Sequence, residues 1–77
     1  MANLIALMLL ITETGKEYNI VKEVKKLHGV SECRVVYGEY DVFIRMEATD
    51  LPLLDEIVTK IRRIAGVVQT TTLVAPP

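Results

Sequence analysis

Tryptophan is absent, phenylalanine, histidine and cysteine occur once each, and neither sign of charge predominates: nine Lys and Arg stand against ten Asp and Glu, a formal charge of −1. Each shortage closes a class of function. With Cys33 as the only thiol there is no internal disulfide, and a single histidine, His28, leaves no imidazole pair for a metal. A near-neutral chain of pI about 5.7 lacks the positive field that dominates nucleic-acid binding, so direct contact with DNA is not expected. There is no glycine-rich phosphate loop, no metal-ligand spacing and no nucleophile with a base close by, so an enzyme is poorly supplied and no cofactor is expected. The longest apolar run, Leu4 to Ile11, is too short to cross a bilayer, has no basic residue ahead of it and no small-residue cleavage site after it. The expectation is a cytoplasmic protein with no membrane partner. One thiol fits a reducing compartment without proving it, and Cys33 reads first as a small buried hydrophobe.

At 77 residues the chain is read as one domain, 1–77, near the size at which folding hides only about 60% of the surface that the unfolded chain exposes. Neither a metal nor a disulfide is available to reinforce so small a core. Association is the remaining route, and an obligate oligomer is expected.

Shifted by 37 positions, the chain falls on itself without a gap: Val24-Lys25-Lys26-Leu27-His28-Gly29-Val30 overlays Ile61-Arg62-Arg63-Ile64-Ala65-Gly66-Val67. Each copy reads as an apolar strand, a helix with a basic last turn, a Gly-Val, and a second β-rich stretch. That order, βαβ twice, is the ferredoxin-like arrangement of the α+β class, with a four-stranded antiparallel sheet and two helices on one face. Asn3 to Ile11 is apolar on both alternating faces, so both faces must be buried. A second subunit's sheet is the economical cover for the face away from the helices, the other option being a chain terminus.

Thr14-Gly15-Lys16-Glu17 has the spacing of a capping box, which predicts a helix starting there. Its apolar stripe is Val21, Val24 and Leu27, with Ile20 and Tyr18 alongside. Gly29 stops it. Asp50 is placed to cap a second helix, Pro52 is tolerable in its first turn, and Leu53, Leu54, Ile57, Val58, Ile61 and Ile64 form its buried stripe. Lys25, Lys26, His28, Arg62 and Arg63 crowd the helix ends. Phosphate contacts are one reading; complementing the negative end of the helix dipole is the plainer one.

Two segments offer more than architecture. In Gly38 to Asp41, Gly38 suits a turn, while Asp41 aligns with Leu4 under the repeat, so the fold does not demand a carboxylate there. In Gln69-Thr70-Thr71-Thr72, three β-branched residues suit a strand but also present hydroxyl donors and acceptors. A carboxylate for an ammonium group, with hydroxyls and backbone N–H groups for a carboxylate, is what a free α-amino acid requires. Glu39 and Asp41 could form an acid pair, but their alternation places them in a hairpin more readily than in a dry cleft.

At Gly29-Val30, Val36-Tyr37-Gly38-Glu39-Tyr40-Asp41-Val42, Ala65-Gly66-Val67 and Thr70-Thr71-Thr72-Leu73, the chain resembles the effector domain of the Lrp/AsnC transcription regulators, also called the RAM domain. The resemblance covers essentially the whole chain. It implies a homodimer formed through the sheets, four dimers in a ring, and a free amino acid bound between neighbouring dimers. The ligand-binding positions it implies are Tyr37, Gly38, Glu39, Tyr40 and Asp41 with Thr70, Thr71 and Thr72, Asp41 facing the ammonium group. The helix-turn-helix domain of full regulators has no counterpart in this sequence. The resemblance is therefore to the stand-alone form, which implies an amino-acid sensor or a partner that joins full-length regulators, without direct DNA binding.

Two other readings of the same fold stay open: a small dimeric α/β-barrel enzyme of monooxygenase or isomerase type, and a structural oligomerisation module with no ligand. The first needs a titratable cleft between helices and sheet, where the stripes here are aliphatic apart from Tyr18. The second predicts that no small molecule alters stability or size.

Overall fold

The computed structural model describes residues 3–77. Its elements are β1 (Leu4–Thr12), α1 (Glu17–Val24), β2 (Val30–Val35), β3 (Val42–Ala48), α2 (Leu51–Arg62) and β4 (Val67–Ala75), the expected βαββαβ order. All strand pairs are antiparallel, and the order across the sheet is β2-β3-β1-β4.

Strand alternation divides the sheet into two unlike faces. On the face under the helices, Ala6, Met8 and Leu10 of β1 and Val42, Ile44 and Met46 of β3 are fully buried, packed with Ile20, Val24 and Ile61 from the helices. The predicted stripes hold: Ile20, Val21 and Val24 are buried on α1, and Leu54, Ile57, Val58 and Ile61 on α2. Tyr18 departs from its stripe and is exposed. Cys33 is buried, as expected of a small hydrophobe. On the opposite face Ile5, Leu7, Leu9 and Ile11 remain half-exposed beside Phe43, Arg45 and Glu47.

The two Gly-Val turns are built alike. Gly29 and Gly66 have φ of +97° and +98°, a conformation that side chains with a Cβ rarely adopt. A Cβ on Gly29 would lie 2.6 Å from Ile57 Cδ1, and one on Gly66 3.2 Å from Ile20 Cδ1. Ile20 and Ile57 are themselves 37 apart, so each copy's turn packs on the other copy's helix.

The repeat is not gapless through its first strands. Leu10 faces Thr70 on β4 and Ile44 faces Cys33 on β2. Since Cys33 and Thr70 match at 37, Leu10 matches Ile44 at 34. An offset of 37 would set buried Met8 on half-exposed Arg45, inverting the strand's faces. Asp41 therefore corresponds to Leu7 rather than Leu4. The three additional residues fall in the second copy, between Ile44 and Ile57, where β3 runs on to Ala48 and α2 starts at Leu51; the first copy instead makes a tight turn between β1 and α1, where Lys16 N donates to Glu13 O at 3.0 Å and Gly15 has φ +90°. That turn also removes Thr14 from the capping position: α1 is capped by Lys16, with no side-chain hydrogen bond. In the second copy Asp50 caps as predicted, accepting from Leu53 N at 2.9 Å, with Pro52 in the first turn.

Candidate functional site

The β2–β3 hairpin, the end of β1 and the start of β4 meet at one end of the sheet, and the predicted residues are distributed around it. Val36 N donates to Asp41 O at 2.9 Å, closing the hairpin, and Asp41 N donates to Leu10 O at 2.8 Å, tying it to β1. Asp41 Oδ2 then accepts from Thr12 N at 2.8 Å. Its carboxylate thus occupies the place where the next ladder partner of β1 would stand. A carboxylate accepting a backbone N–H makes a charge-assisted bond, so Asp41 holds the hairpin as well as offering its other oxygen.

Beyond Asp41 the hairpin runs out into solvent. Tyr37 is 94% exposed, Glu39 is exposed, and Gly38 has φ +131° with open space where a Cβ would stand. Gly38 is therefore required by its backbone and not by any close approach. Tyr40 turns back over the sheet, and its hydroxyl lies 3.5 Å from Thr71 Oγ1 on β4, the outer limit of a hydrogen bond.

Alternation separates the three threonines. Thr71 pairs with Leu9 and shares the open face with Tyr40, whereas Thr70 and Thr72 pair with Leu10 and Met8 on the helix face. Thr70 Oγ1 accepts from Arg62 Nε at 3.3 Å. Thr72 Oγ1 is buried and has no partner. Within one chain, then, Tyr40 and Thr71 come together, Thr70 and Thr72 look the other way, and Tyr37, Gly38 and Glu39 stand apart at the tip. The residue missed from the sequence is Arg62. Its position in a helix's last turn accounted for its charge, and only the β4 register reveals the threonine beneath it.

Among the described residues the thiol whose acidity departs from its ordinary value lies elsewhere. Burial pushes the Cys33 thiol from 9.0 up to about 11, with Lys25 opposing it. Cys33 sits at the floor of a groove of about 600 Å³ between α1 and β2, lined also by Tyr18, Val21 and Lys25 and by none of the hairpin or threonine residues. A protonated, enclosed thiol is inert as a nucleophile. Among the described residues no group of three His, Cys, Asp or Glu could hold a metal ion, and no helix is long and apolar enough to cross a membrane.

A family described as the Lrp/AsnC ligand binding domain matches residues 6–75. An uncharacterised helix-turn-helix-type transcriptional regulator of Pyrococcus furiosus is 36% identical over 63 residues, which are 80% of this chain and 41% of that protein. The homocitrate synthase of Sulfolobus acidocaldarius is 32% identical over 54 residues, 70% of this chain but 12% of the enzyme. The chain therefore spans less than half the length of either relative. Among solved structures, a hypothetical protein of Pyrococcus horikoshii superposes with a TM-score of 0.91 at 35% identity, covering 96% of this chain and 90% of that one. A transcriptional regulator of Neisseria meningitidis, solved as a complex with L-Met, superposes with a TM-score of 0.79 at 19% identity, covering 96% and 50%.

Proposed function

The chain belongs to the Lrp/AsnC ligand-binding domain family, and from that premise we propose that it is a non-enzymatic, amino-acid-binding regulatory module that assembles through the open face of its sheet. The observation that carries this reading is the family match over residues 6–75, nearly the whole chain, in the order and topology described above. Transcriptional regulators recur among the relatives. The homocitrate synthase match spans only a small part of that enzyme, so it associates a module of this kind with an enzyme without lending it catalysis. The L-Met complex of the Neisseria regulator supports an amino acid as the class of effector.

The mechanism is ligand-linked assembly. One copy supplies the hairpin Tyr37–Asp41, and the β4 threonines complete the site where a neighbouring copy approaches. A site shared between copies binds more tightly in the assembled state, so the ligand shifts the balance between dimers and the ring of four. Co-assembly with full-length regulators uses the same surfaces. The module reads no DNA itself, consistent with its near-neutral charge.

The test is thermal melting against each of the twenty amino acids, with particle size followed in parallel. A ligand at about a hundred times its dissociation constant stabilises by roughly 2.7 kcal/mol. The expected result is a selective shift accompanied by a change in size, lost in Asp41→Asn, which keeps an acceptor for Thr12 N but removes the charge. No shift from any amino acid, with size unchanged, would leave the structural oligomerisation role instead.

A further inference from the structure

The two edges of the sheet are finished differently. β2 is six residues long, shifts register between Val30 and Glu32, and carries the Arg34–Glu32 ion pair. Shortness, a bulge and charge are what keep an edge strand from pairing with another chain. β4 has none of these over its length: it runs nine residues, and no charged residue occurs from Val67 to Pro77. Leu73 and Val74 are exposed on its two faces. Its unpaired backbone groups can be placed from the ladder. Val36 N donates to Asp41 O and Glu47 N to Gly29 O, so the odd-numbered residues of β3 turn their backbone to β2 and the even-numbered ones to β1. Carried through the registers, Gln69, Thr71 and Leu73 bond to β1, and the N–H and C=O of Thr70, Thr72 and Val74 point outward.

Beside this edge lies a groove of about 340 Å³ between α2 and β4, with Leu54, Val58 and Val74 in its walls and one charge of each sign. Arg62 stands over Thr70, to whose Oγ1 its Nε donates at 3.3 Å. Asp55 is two turns earlier in α2, about 10 Å along the axis and toward Val74. Among the described residues neither has a partner within ion-pair distance.

An edge whose groove carries opposite charges at its two ends is complementary to itself under a two-fold axis. We propose that β4 pairs antiparallel with β4 of a second copy about an axis through Thr72, joining two four-stranded sheets into one, with Asp55 and Arg62 setting the register. Thr72 then faces its own counterpart and Thr70 faces Val74 of the other copy, so every outward residue is bonded. Arg62 of each copy comes toward Asp55 of the other, and the two apolar grooves close on each other. The Thr72 hydroxyl oxygen, buried without a partner, lies beside the axis, where cross-strand threonines hydrogen-bond. Pro76, which has no N–H, ends the ladder. The seam leaves the open face and Thr71 free, so it links one open-face dimer to the next. The proposal rests on the assembly read above for that dimer and names the surface by which dimers meet. So short a ladder is weak between single chains and holds when a dimer presents two edges at once.

Sedimentation velocity over a range of chain concentration, with and without a mixture of the twenty amino acids, is run on the wild type, Thr72→Pro, Asp55→Arg, Arg62→Asp and the double charge exchange. Proline at 72 removes an outward N–H and none that β1 uses, so the strand should stay in place, as dispersed amide spectra would show. The expected result is a wild type that populates species larger than the dimer and a Thr72→Pro variant that stops at the dimer. Each single charge variant should need about tenfold more protein to form the larger species, because like charges then meet twice in every seam. The double exchange restores unlike pairs and should regain them. Larger species as abundant in Thr72→Pro as in the wild type would overturn the seam while leaving the open-face reading standing. A wild type that never exceeds the dimer would overturn it equally. Single variants that lose the larger species without recovery in the double exchange would overturn the assigned register. A dimer that survives Leu7→Lys and disappears only when Thr72→Pro is added would uphold the seam and overturn the open-face reading.

Discussion

The two faces of this sheet are made of nearly the same residues in β1 yet meet opposite fates. Ala6, Met8 and Leu10 are fully buried under the helices, while Ile5, Leu7, Leu9 and Ile11, no less apolar, stay half-exposed on the other side. The open face is apolar along β1 and polar toward β2, where Arg45 pairs with Glu47 at 3.1 Å and Arg34 with Glu32 at 2.6 Å. Leu73 on β4 adds a further exposed apolar side chain, paired with Leu7. A contiguous apolar patch rimmed by charge is the mark of an interaction surface. One face therefore makes the fold, and the other is the surface through which we propose that the module assembles.

The comparison breaks most severely on the closed face. Ile44→Ala leaves a cavity where nothing can collapse to fill it, and chemical denaturation should show a loss of about 2–5 kcal/mol. On the open face Leu7→Lys should spare the helix-covered core but abolish association, seen as a drop to monomer mass together with a lowered melting temperature. Alkaline pH sharpens the same contrast through Cys33. Its folded acidity is weakened, so the protein binds that proton more tightly when native; this stabilisation is complete below pH 9 and should be lost as pH rises from 9.0 toward about 11. Cys33→Ala should flatten that part of a stability-against-pH curve. Asp50→Ala removes the cap of α2 and should cost about 1 kcal/mol in the same denaturation assay. Smallest of all, Arg34→Ala removes an ion pair on the rim and should move the melt by no more than about 0.5 kcal/mol unless that rim is part of the interface.

Much of the fold was legible because helices advertise themselves by spacing. The stripes Ile20–Val24 and Leu54–Ile61 and the Asp50 cap were readable from the sequence, since each depends on neighbours within a turn or two, but the helix ends were not. α1 stops at Val24, capped by Lys25, and α2 at Arg62, capped by Arg63, and a short turn carries the chain on to Gly29 or Gly66. Thr14 misled because the S/T-x-x-E spacing cannot tell a cap from a turn when Gly15 can take a positive φ. The gapless repeat misled in its first strands because faces are fixed by ladder register, and a strand offset by an odd number inverts them without altering how apolar it looks. The candidate site suffered from the same blindness. Three consecutive threonines look like one donor surface, yet alternation sends Thr71 to Tyr40 and Thr70 to Arg62. Asp41 was legible as unusual for its position; that Thr12 N would claim one of its oxygens required the long-range pairing of β3 with β1.

Sedimentation equilibrium of the wild-type protein across a hundredfold range of concentration tests the division of labour between the two faces most directly. A mass of twice the 8.6 kDa chain or a multiple of it, reduced to monomer by Leu7→Lys, is the predicted result. A stable, fully folded 8.6 kDa monomer at every concentration would contradict it, for the open face would then need no cover.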